Sequence, residues 1–221
     1  MRIGGLQKLT LLDYPGKVAC TVFLIGCNLR CPYCHNPGLV LPESMDGQEI
    51  SADEILGFLE QRDGVCITGG EPTLWQELPE FISDIRSLGY AVKLDTNGTN
   101  PDMLKELLSD GLLDYVAMDI KNGPSRYAIT CGGEDVIDSV RESIALLLNG
   151  TAEYEFRTTV CKPLHTEKDM EEIGRMLRGA KRYFIQPFAD SGDLVTGGVQ
   201  AHTREELVRL RQAAIYSQHR A

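Results

Sequence analysis

A short apolar run followed by an amphipathic segment recurs six times along the chain, and this repeat limits the possible folds more than any other feature of the sequence. The apolar runs are rich in β-branched residues and too short for helices, which is typical of strands buried on both faces of a parallel sheet. The predicted strands are residues 18–24, 65–68, 91–95, 115–120, 154–160 and 183–186. Six successive βα units predict an α/β fold of parallel strands with helices outside them.

Start signals for helices lie between the predicted strands and after the last of them. Ser51 and Glu54 form a capping-box pattern, and Asn100 precedes a proline at the first position of another helix. Thr166 and Thr203 occupy equivalent positions before the last two helices. The alternation leaves two architectures open, an open doubly wound sheet and part of a (β/α) barrel. In both, site residues are expected where the strands end and the loops begin.

The chain is acidic, with 22 Lys and Arg residues against 32 Asp and Glu residues and a formal net charge of -10. This charge argues against nucleic acid as the main partner, because the phosphates would be repelled. The apolar runs are far shorter than a membrane span, and the N-terminal residues lack the apolar stretch of a signal peptide. We therefore expect one domain over residues 1–221 in the cytoplasm, with no nucleic acid and no membrane among its partners.

Three of the seven cysteines, Cys27, Cys31 and Cys34, lie in one loop directly after the first predicted strand, the cysteine loop (residues 26–36). An odd number of cysteines in a chain without a signal peptide fits a disulfide framework poorly. Three thiolates from so short a loop can converge on one face of a four-iron cluster, which usually takes four cysteines. The other cysteines are scattered along the chain: Cys20, Cys66, Cys131 and Cys161. The spacing therefore predicts a cluster with one iron open to a ligand from outside the protein.

Other interpretations of the cysteine loop remain open at this point. A structural zinc site would use the three cysteines with His35, but zinc sites usually take two ligand pairs from separate places, and no good second pair is present. Three buried cysteines without a metal are disfavoured by the neighbouring Arg30, Pro32 and His35. An iron–sulfur electron carrier is an alternative from a different functional class.

The cysteine spacing, with Tyr33 before the third cysteine, resembles the signature of the radical S-adenosylmethionine (SAM) enzymes. The string GCNLRCPYCHN at residues 26–36 is similar to that of the glycyl-radical-enzyme activases in this superfamily. Together with DYPGK at residues 13–17, it is most similar to the activating proteins of anaerobic ribonucleoside-triphosphate reductases. The resemblance covers about residues 3–188.

This resemblance implies a fold, two cofactors and a reaction. The fold would be a partial (β/α)6 barrel of the radical SAM type, whose open side could admit a loop of a large partner. A [4Fe–4S] cluster on Cys27, Cys31 and Cys34 would bind SAM at its open iron, and reductive cleavage of SAM would yield a 5′-deoxyadenosyl radical. That radical would abstract an α-hydrogen from a glycine of the reductase. The cofactors, rather than an acid or base residue, would carry this oxidoreductase chemistry.

The same resemblance implies two protein partners, a glycyl radical enzyme and a flavodoxin or ferredoxin that donates electrons. The alternative within the superfamily is an enzyme that acts on another glycyl radical enzyme, such as pyruvate formate-lyase, or on a small molecule. In relatives that activate pyruvate formate-lyase, a histidine follows the Pro-Phe pair found here at Pro187 and Phe188, whereas this chain has Ala189. This difference favours the reductase. No cysteine lies between residues 40 and 50, so we expect a single cluster.

Two glycines and a glutamate follow the second predicted strand. Gly69 and Gly70 permit a close approach of the backbone to a ligand, and Glu71 comes next. By itself, a Gly-Gly pair usually indicates only a tight turn without a ligand. The resemblance implies that these residues take part in holding SAM, with Gly70 at its amino group.

Two aspartates, Asp95 and Asp119, stand at the ends of the third and fourth predicted strands, and aspartate is uncommon in buried strands. Hydrogen bonding at a strand end would explain either one alone. The resemblance implies that Asp119 and Lys121 contact SAM. It also implies that Asp95, Thr96 and Asp119 surround a monovalent cation, and Asn97 is expected among the cofactor contacts.

The remaining expected cofactor contacts are Tyr33 and His35 in the cysteine loop and Gln186, which would border the adenine of SAM. Asp13 is a candidate contact to the glycine loop of the partner. His165 precedes a predicted helix, so we expect it at the surface or in a cap rather than as a metal ligand.

Overall fold

One seven-stranded sheet forms the centre of the fold, and its strands follow one another across the sheet in chain order. The computed structural model describes residues 1–41, 50–58, 63–190 and 192–219. The strands are β1 (Ile3–Thr10), β2 (Ala19–Leu24), β3 (Gly64–Gly69), β4 (Ala91–Thr96), β5 (Tyr115–Asp119), β6 (Glu153–Val160) and β7 (Tyr183–Pro187). Strands β2 to β7 pair in parallel, which confirms the predicted α/β fold.

The helices lie between these strands, except for the last helix, which follows β7, and the predicted start signals are used. The helices are α1 (Pro37–Val40), α2 (Ala52–Phe58), α3 (Leu78–Ser87), α4 (Pro101–Ser109), α5 (Tyr127–Thr130), α6 (Ile137–Asn149), α7 (Glu167–Met176) and α8 (Arg204–His219). Asn100 Oδ1 accepts from Met103 N at 3.3 Å at the start of α4. Thr166 and Asp169 form a capping box at the start of α7. Within the described part of the chain, no helix has the length and apolar character to cross a membrane.

The order of the strands decides between the two architectures that the sequence leaves open. In a doubly wound sheet the order reverses near the middle, so that early strands lie centrally. Here the order runs from β1 to β7 without a reversal, and the two end strands are edges. An open sheet of sequential parallel strands is consistent with a partial barrel.

Strand β1 is the element that the sequence pattern misses. It runs antiparallel to β2, with Ile3 opposite Leu24 and Thr10 opposite Ala19. Its sequence, IGGLQKLT, has two adjacent glycines and several polar residues, so it lacks a continuous apolar run. Strand formation depends strongly on the neighbouring strand, and here β2 supplies the partner that the composition of β1 does not predict.

The two faces of the sheet differ in chemistry, because successive side chains of a strand point to opposite sides. The outer face packs under the helices and is apolar; buried members include Val22, Ile67, Leu94, Val116 and Phe156. The inner face is polar; members of neighbouring strands include Cys66, Lys93, Asp95, Asp119 and Arg157. The cysteine loop and the ends of the strands meet at the carboxyl end of this inner face.

Candidate functional site

A cavity of about 200 Å³ lies at the carboxyl end of the inner face. Most of the expected site residues line it: Cys27, Cys31, Tyr33, Cys34, His35, Gly69, Gly70, Asp95, Thr96, Asn97, Asp119 and Lys121. Asp13, Glu71 and Gln186 are outside the lining. Loops and strand ends that are distant in the sequence therefore meet in one place.

Backbone hydrogen bonds hold the cysteine loop on three sides. Gly26 N donates to Leu39 O of α1 at 2.8 Å, and Gly26 O accepts from Glu71 N at 2.7 Å. Arg30 N donates to Cys131 O, just after α5, at 2.9 Å. The backbone of the loop is thus anchored to a helix, to the turn after β3 and to the end of α5.

The three thiols differ in how readily they ionise. Burial raises the pKa of Cys27 to about 11, and burial also raises the pKa of Cys34. A hydrogen bond with the Cys131 thiol lowers the pKa of Cys31 to about 7, against the effect of burial. Metals bind thiolates, so loading a metal centre at neutral pH displaces protons from Cys27 and Cys34 above all.

The glycine turn after β3 touches the cysteine loop backbone to backbone. Gly69 has a φ of +115°, and a Cβ there would lie 2.4 Å from Leu24 N. A Cβ on Gly70 would lie 1.9 Å from Gly26 O, closer than any real carbon–oxygen contact. Gly70 is therefore required by the contact between the turn and the cysteine loop, and Gly69 by its contact with the end of β2, in addition to any approach to a ligand.

Glu71 is fully buried, and its carboxylate oxygens accept hydrogen bonds from within the protein. Oε1 accepts from Thr73 Oγ1 at 2.5 Å and from Thr96 Oγ1 at 2.7 Å, and Oε2 accepts from Asn97 N at 2.6 Å. Burial raises the pKa of this carboxyl group, while the hydrogen bonds oppose that shift. Glu71 therefore links the ends of β3 and β4 through hydrogen bonds and is not part of the cavity wall.

An ion pair of Asp119 and Lys121 lies at the cavity wall, with Lys121 Nζ 3.0 Å from Asp119 Oδ2. Arg157 on β6 completes this group, because its Nε donates to Asp119 Oδ1 at 2.9 Å and its Nη2 lies 3.2 Å from Asp95 Oδ2. Burial alone would raise the pKa of Asp119, but Arg157 and Lys121 hold it well below its usual range. Asp119 is thus held in its ionised form, and both carboxylates at the strand ends are paired with cationic side chains.

The sequence-based reasoning missed Arg157, although a signal for it was present. Strand β6 reads EYEFRTTV, in which polar and apolar residues alternate. This period of two places Arg157 on the same face as Glu155, opposite the buried Phe156. The adjacent strand carries Asp119, which is directly paired in register with Arg157.

His165 is only 2% exposed, so the expected position at the surface is wrong, and the residue that caps α7 is Thr166. Its Nε2 lies 2.8 Å from Lys121 O, and its Nδ1 lies 3.1 Å from Cys161 N. The ring also meets Tyr33 edge-on, with the ring centroids 6.1 Å apart. Burial lowers the pKa of His165, so the neutral ring holds the backbone of Lys121 behind the cavity.

Besides Glu71, two further expected contacts, Gln186 and Asp13, lie outside the cavity wall. Gln186 is exposed, and its Oε1 is 3.5 Å from Oγ1 of Thr159, which lines the cavity, so Gln186 lies near the rim. Asp13 accepts a hydrogen bond from Thr21 Oγ1 at 2.6 Å. Thr21 precedes the carboxyl end of β2, at Leu24, by roughly 10 Å at the usual rise of a strand. Asp13 therefore lies toward the amino end of the inner face, away from the cysteine loop.

The chemistry of these residues suits an iron–sulfur cluster together with SAM. Three thiols of one loop face one cavity, and soft thiolates are the usual ligands of such clusters. Asp119 and Lys121 offer both charges needed to recognise an amino-acid zwitterion such as the methionine part of SAM. Among the residues that the structure describes, no three His, Cys, Asp or Glu side chains converge on a single metal ion. The fit of this cavity to a cluster and SAM thus rests on the three thiols, the charged pair and their position around one cavity.

Comparison with known proteins gives a family. The family model of the radical SAM superfamily matches residues 21–178. A Methanocaldococcus jannaschii protein named as a candidate glycyl-radical enzyme activating enzyme is 36% identical over 193 residues, which cover 84% of this chain and 79% of that protein. The pyruvate formate-lyase-activating enzyme of Clostridium pasteurianum is 35% identical over 133 residues, 55% of this chain and 52% of that enzyme. This second match spans only about half of either protein.

Solved structures share the fold at low sequence identity. Streptococcus suis SuiB, bound to its precursor peptide SuiA, superposes with a TM-score of 0.64 at 14% identity, over 86% of this chain and 45% of that one. A domain of pyruvate-formate lyase-activating enzyme from Bacteroides vulgatus superposes with a TM-score of 0.51 at 17% identity, over 70% of this chain and 94% of that one. At such identities the likeness concerns the fold alone.

Proposed function

The chain belongs to the radical SAM superfamily, among its glycyl-radical-enzyme activating enzymes, and we propose that it introduces a glycyl radical into an anaerobic ribonucleoside-triphosphate reductase. Membership of the family makes it an oxidoreductase with a [4Fe–4S] cluster and SAM. The proposal adds the target, the contacts to SAM and the electron donor, a flavodoxin or ferredoxin. The observation that carries it is the convergence of the cysteine loop, the glycine turn and the charged strand ends on one cavity.

The residues of the cavity have separate tasks in this proposal. Cys27, Cys31 and Cys34 would hold the cluster. Bound there, the cluster and SAM would supply the one-electron chemistry that removes a hydrogen atom from a glycine α-carbon of the partner. Asp119 and Lys121 are 32% and 19% exposed in their side chains, so both reach the cavity and can orient the charged groups of SAM.

The part of the cavity wall at His35 suits the nucleoside part of SAM. His35 stacks on Phe188 with the ring centroids 5.3 Å apart and an angle of 17° between the rings. Gln186 lies near the same rim and offers an amide to an adenine edge. Together they present a flat ring pair and a hydrogen-bonding group, the two features that recognise a base.

The choice of reductase rests on three sequence features. These are the cysteine loop, the DYPGK string at residues 13–17, and Ala189 at the position where activases of pyruvate formate-lyase have a histidine. Pyruvate formate-lyase is the second candidate target, because its activating enzyme from Clostridium pasteurianum is 35% identical over part of the chain.

The test uses reductase labelled with deuterium at its glycine α-carbons. Reduced, cluster-loaded protein is mixed with SAM and the reductase without oxygen. We expect deuterium in 5′-deoxyadenosine and a glycyl radical signal from the reductase in electron paramagnetic resonance. The Cys31→Ala variant is the control, and it should give neither signal.

Other outcomes identify the alternatives. Deoxyadenosine without deuterium, and no radical on the reductase, would exclude the reductase as the target while leaving a radical SAM enzyme. If a glycyl radical instead forms on labelled pyruvate formate-lyase in a parallel mixture, that enzyme is the target and the reductase is not. A cluster that accepts electrons but yields no deoxyadenosine would indicate an electron carrier.

A further inference from the structure

The carboxylates that were expected to surround a monovalent cation already have cationic partners. Asp95 Oδ1 pairs with Lys93 Nζ, and Asp95 Oδ2 lies 3.2 Å from Arg157 Nη2. Asp119 Oδ1 accepts from Arg157 Nε at 2.9 Å, and Asp119 Oδ2 lies 3.0 Å from Lys121 Nζ. Every carboxylate oxygen of the two aspartates thus faces a side-chain cation.

The hydroxyl of Thr96, the third expected ligand of that cation, is also engaged elsewhere. Thr96 Oγ1 donates to Glu71 Oε1 at 2.7 Å and accepts from Gly98 N at 3.1 Å. Thr96 is 4% exposed, and its side chain is tied to the connection between β3 and β4. The residues present therefore do not fit a dissolved cation at this place.

Strand register explains how one arginine reaches both aspartates. Arg157 on β6 is paired with Asp119 on β5, and Asp95 on β4 is paired with Ala117 on β5. Ala117 is fully buried and has a small side chain, which leaves room for the guanidinium to pass over β5 toward Asp95. The planar group can therefore bond one carboxylate through Nε and the other through its terminal nitrogens.

The group is balanced in charge. Lys93, Arg157 and Lys121 carry three positive charges, which match Asp95, Asp119 and Glu155, whose Oε1 lies 4.0 Å from Arg157 Nη1. A sodium or potassium ion between the aspartates would add an unbalanced positive charge next to a guanidinium that stays charged at all physiological pH values. The side chains of Arg157 and Asp95 are only 17% and 16% exposed, so water screens that repulsion poorly.

We infer that the Arg157 guanidinium is the built-in cation of the Asp95–Asp119 carboxylate pair, so that SAM binding by this chain does not depend on a dissolved monovalent cation. Arg157 is a positioning residue in this role. It holds Asp119 in place, and Asp119 in turn holds Lys121 at the cavity wall. The inference rests on SAM binding in the proposed function and is independent of the protein target.

The first measurement compares SAM affinity in different salts. Cluster-loaded protein is titrated with SAM by anaerobic calorimetry in potassium, sodium or tetramethylammonium chloride at equal ionic strength. Tetramethylammonium is too large to fit between two carboxylates. We expect dissociation constants within about twofold of one another in the three salts. Binding that is fivefold or more tighter in potassium or sodium would overturn the inference. Absence of SAM binding in every salt would instead count against the proposed function.

The second measurement removes the built-in cation. Arg157→Gln keeps hydrogen-bond donors but loses the charge, so SAM affinity in tetramethylammonium should fall roughly tenfold, the loss expected for one charge-assisted contact. Potassium or sodium should restore part of this affinity, because the vacated space then has room and negative charge for a small cation. Arg157→Lys should remain independent of the salt.

A matched control separates this effect from a change in net charge. Arg209→Gln removes an exposed arginine that pairs with Glu167 at 3.1 Å on the far helices, and it should behave as the wild type in every salt. Unchanged affinity of Arg157→Gln in tetramethylammonium, or a loss that neither potassium nor sodium reduces, would overturn the inference. If Arg157→Gln does not fold, the comparison of salts on the wild type decides the matter alone.

Discussion

At the scale of single residues, the site combines reactive thiols with charges that are already paired. Cys27, Cys31 and Cys34 point to one cavity, and the carboxylates beside them are neutralised by Lys121 and Arg157. Opposite charges replace water around each group, which allows ionised side chains to lie in a partly buried place. Each member of this arrangement can be tested separately.

The first prediction concerns the cluster ligands. Replacing Cys27, Cys31 or Cys34 by Ala should abolish loading of a four-iron cluster, because each variant leaves only two of the three thiols of the cysteine loop at the cavity. Iron content and the absorbance of anaerobically reconstituted protein measure this.

The other cysteines supply the matched controls for that prediction. Variants of Cys20, Cys66, Cys131 and Cys161 should keep most of their cluster iron. Cys131→Ala is the most stringent of these controls, because the Cys131 thiol of the wild type forms a hydrogen bond with Cys31. Loss of the cluster in any of these four variants would show that the ligand assignment is wrong.

The second prediction concerns the contact to SAM. Lys121→Ala should weaken SAM binding by roughly ten- to a hundred-fold with the cluster still present, since a charge-assisted hydrogen bond is worth about 1.5–3 kcal/mol. Anaerobic calorimetry measures the affinity. Lys168→Ala removes an exposed lysine of α7 and should leave the affinity unchanged. Equal affinity of both variants would place the SAM site elsewhere.

The third prediction concerns pH and His165. Burial lowers the pKa of His165 in the folded protein below the usual value of about 6.5. The unfolded chain therefore binds the proton first as the pH falls, so the contribution of this residue is fully present above pH of about 6.5 and is lost on going down toward the folded pKa.

Urea unfolding of the cluster-free protein between pH 7.5 and 5.5, values on either side of the usual histidine pKa of about 6.5, tests this prediction. The free energy of unfolding of the wild type should fall in this interval by up to about 1.4 kcal/mol per pH unit from this residue. His165→Gln should show a shallower fall, because its amide does not titrate. The same slope in both proteins would mean that His165 is not buried as a neutral ring.

At the scale of elements, the site depends on contacts between loops that follow adjacent strands. The cysteine loop follows β2, the glycine turn follows β3, and the two strands are parallel neighbours. Parallel strands bring their carboxyl ends to one edge, so their loops are packed against each other without any connection in sequence. The hydrogen bond from Glu71 N to Gly26 O is the direct contact.

The fourth prediction tests this contact. A Cβ at Gly70 would lie 1.9 Å from Gly26 O, so Gly70→Ala must displace the cysteine loop. We expect less cluster iron per protein and weaker SAM binding. Gly5→Ala is the matched control, because a Cβ there meets only Phe23 side-chain atoms, at 3.6 Å or more. Full cluster loading in Gly70→Ala would show that the loop can move away without losing its ligands.

At the scale of the whole molecule, the two ends of the inner face have different tasks. Near the amino ends of the strands, Tyr14 and Tyr115 pack with Ala19, and the tyrosine rings are 6.2 Å apart. This small apolar cluster fills one end, while the polar cavity occupies the other. Ligands are therefore expected to stabilise one end of the molecule more than the other.

The fifth prediction follows from this division. Loading the cluster and SAM should slow amide hydrogen exchange at residues 26–36, 69–71 and 119–122, because a ligand suppresses local opening where it binds. The loop at residues 11–18 should exchange at an unchanged rate. Cys31→Ala treated in the same way should show no slowing. Equal slowing at both ends would mean that the ligands stabilise the sheet as one unit.

The sequence by itself determined the parts of this protein that depend on local patterns. Six parallel strands follow from short apolar runs, the starts of helices from capping residues such as Asn100 and Thr166, and the three clustered thiols from their spacing. Each of these signals involves residues close together in the sequence. Over such short distances, side-chain periodicity and helix capping connect the sequence directly to the local structure.

Only the tertiary structure decided which distant residues meet. Strand β1 became a strand because β2 lies beside it, and Asp13 came to lie away from the cysteine loop because β1 runs antiparallel. Arg157 reaches Asp119, which is 38 positions away in sequence, because β5 and β6 are in register. Glu71 turned inward for a similar reason, since Thr96 and Asn97 donate to it from the next strand end. Such contacts depend on the register and curvature of the whole sheet, which no local pattern encodes.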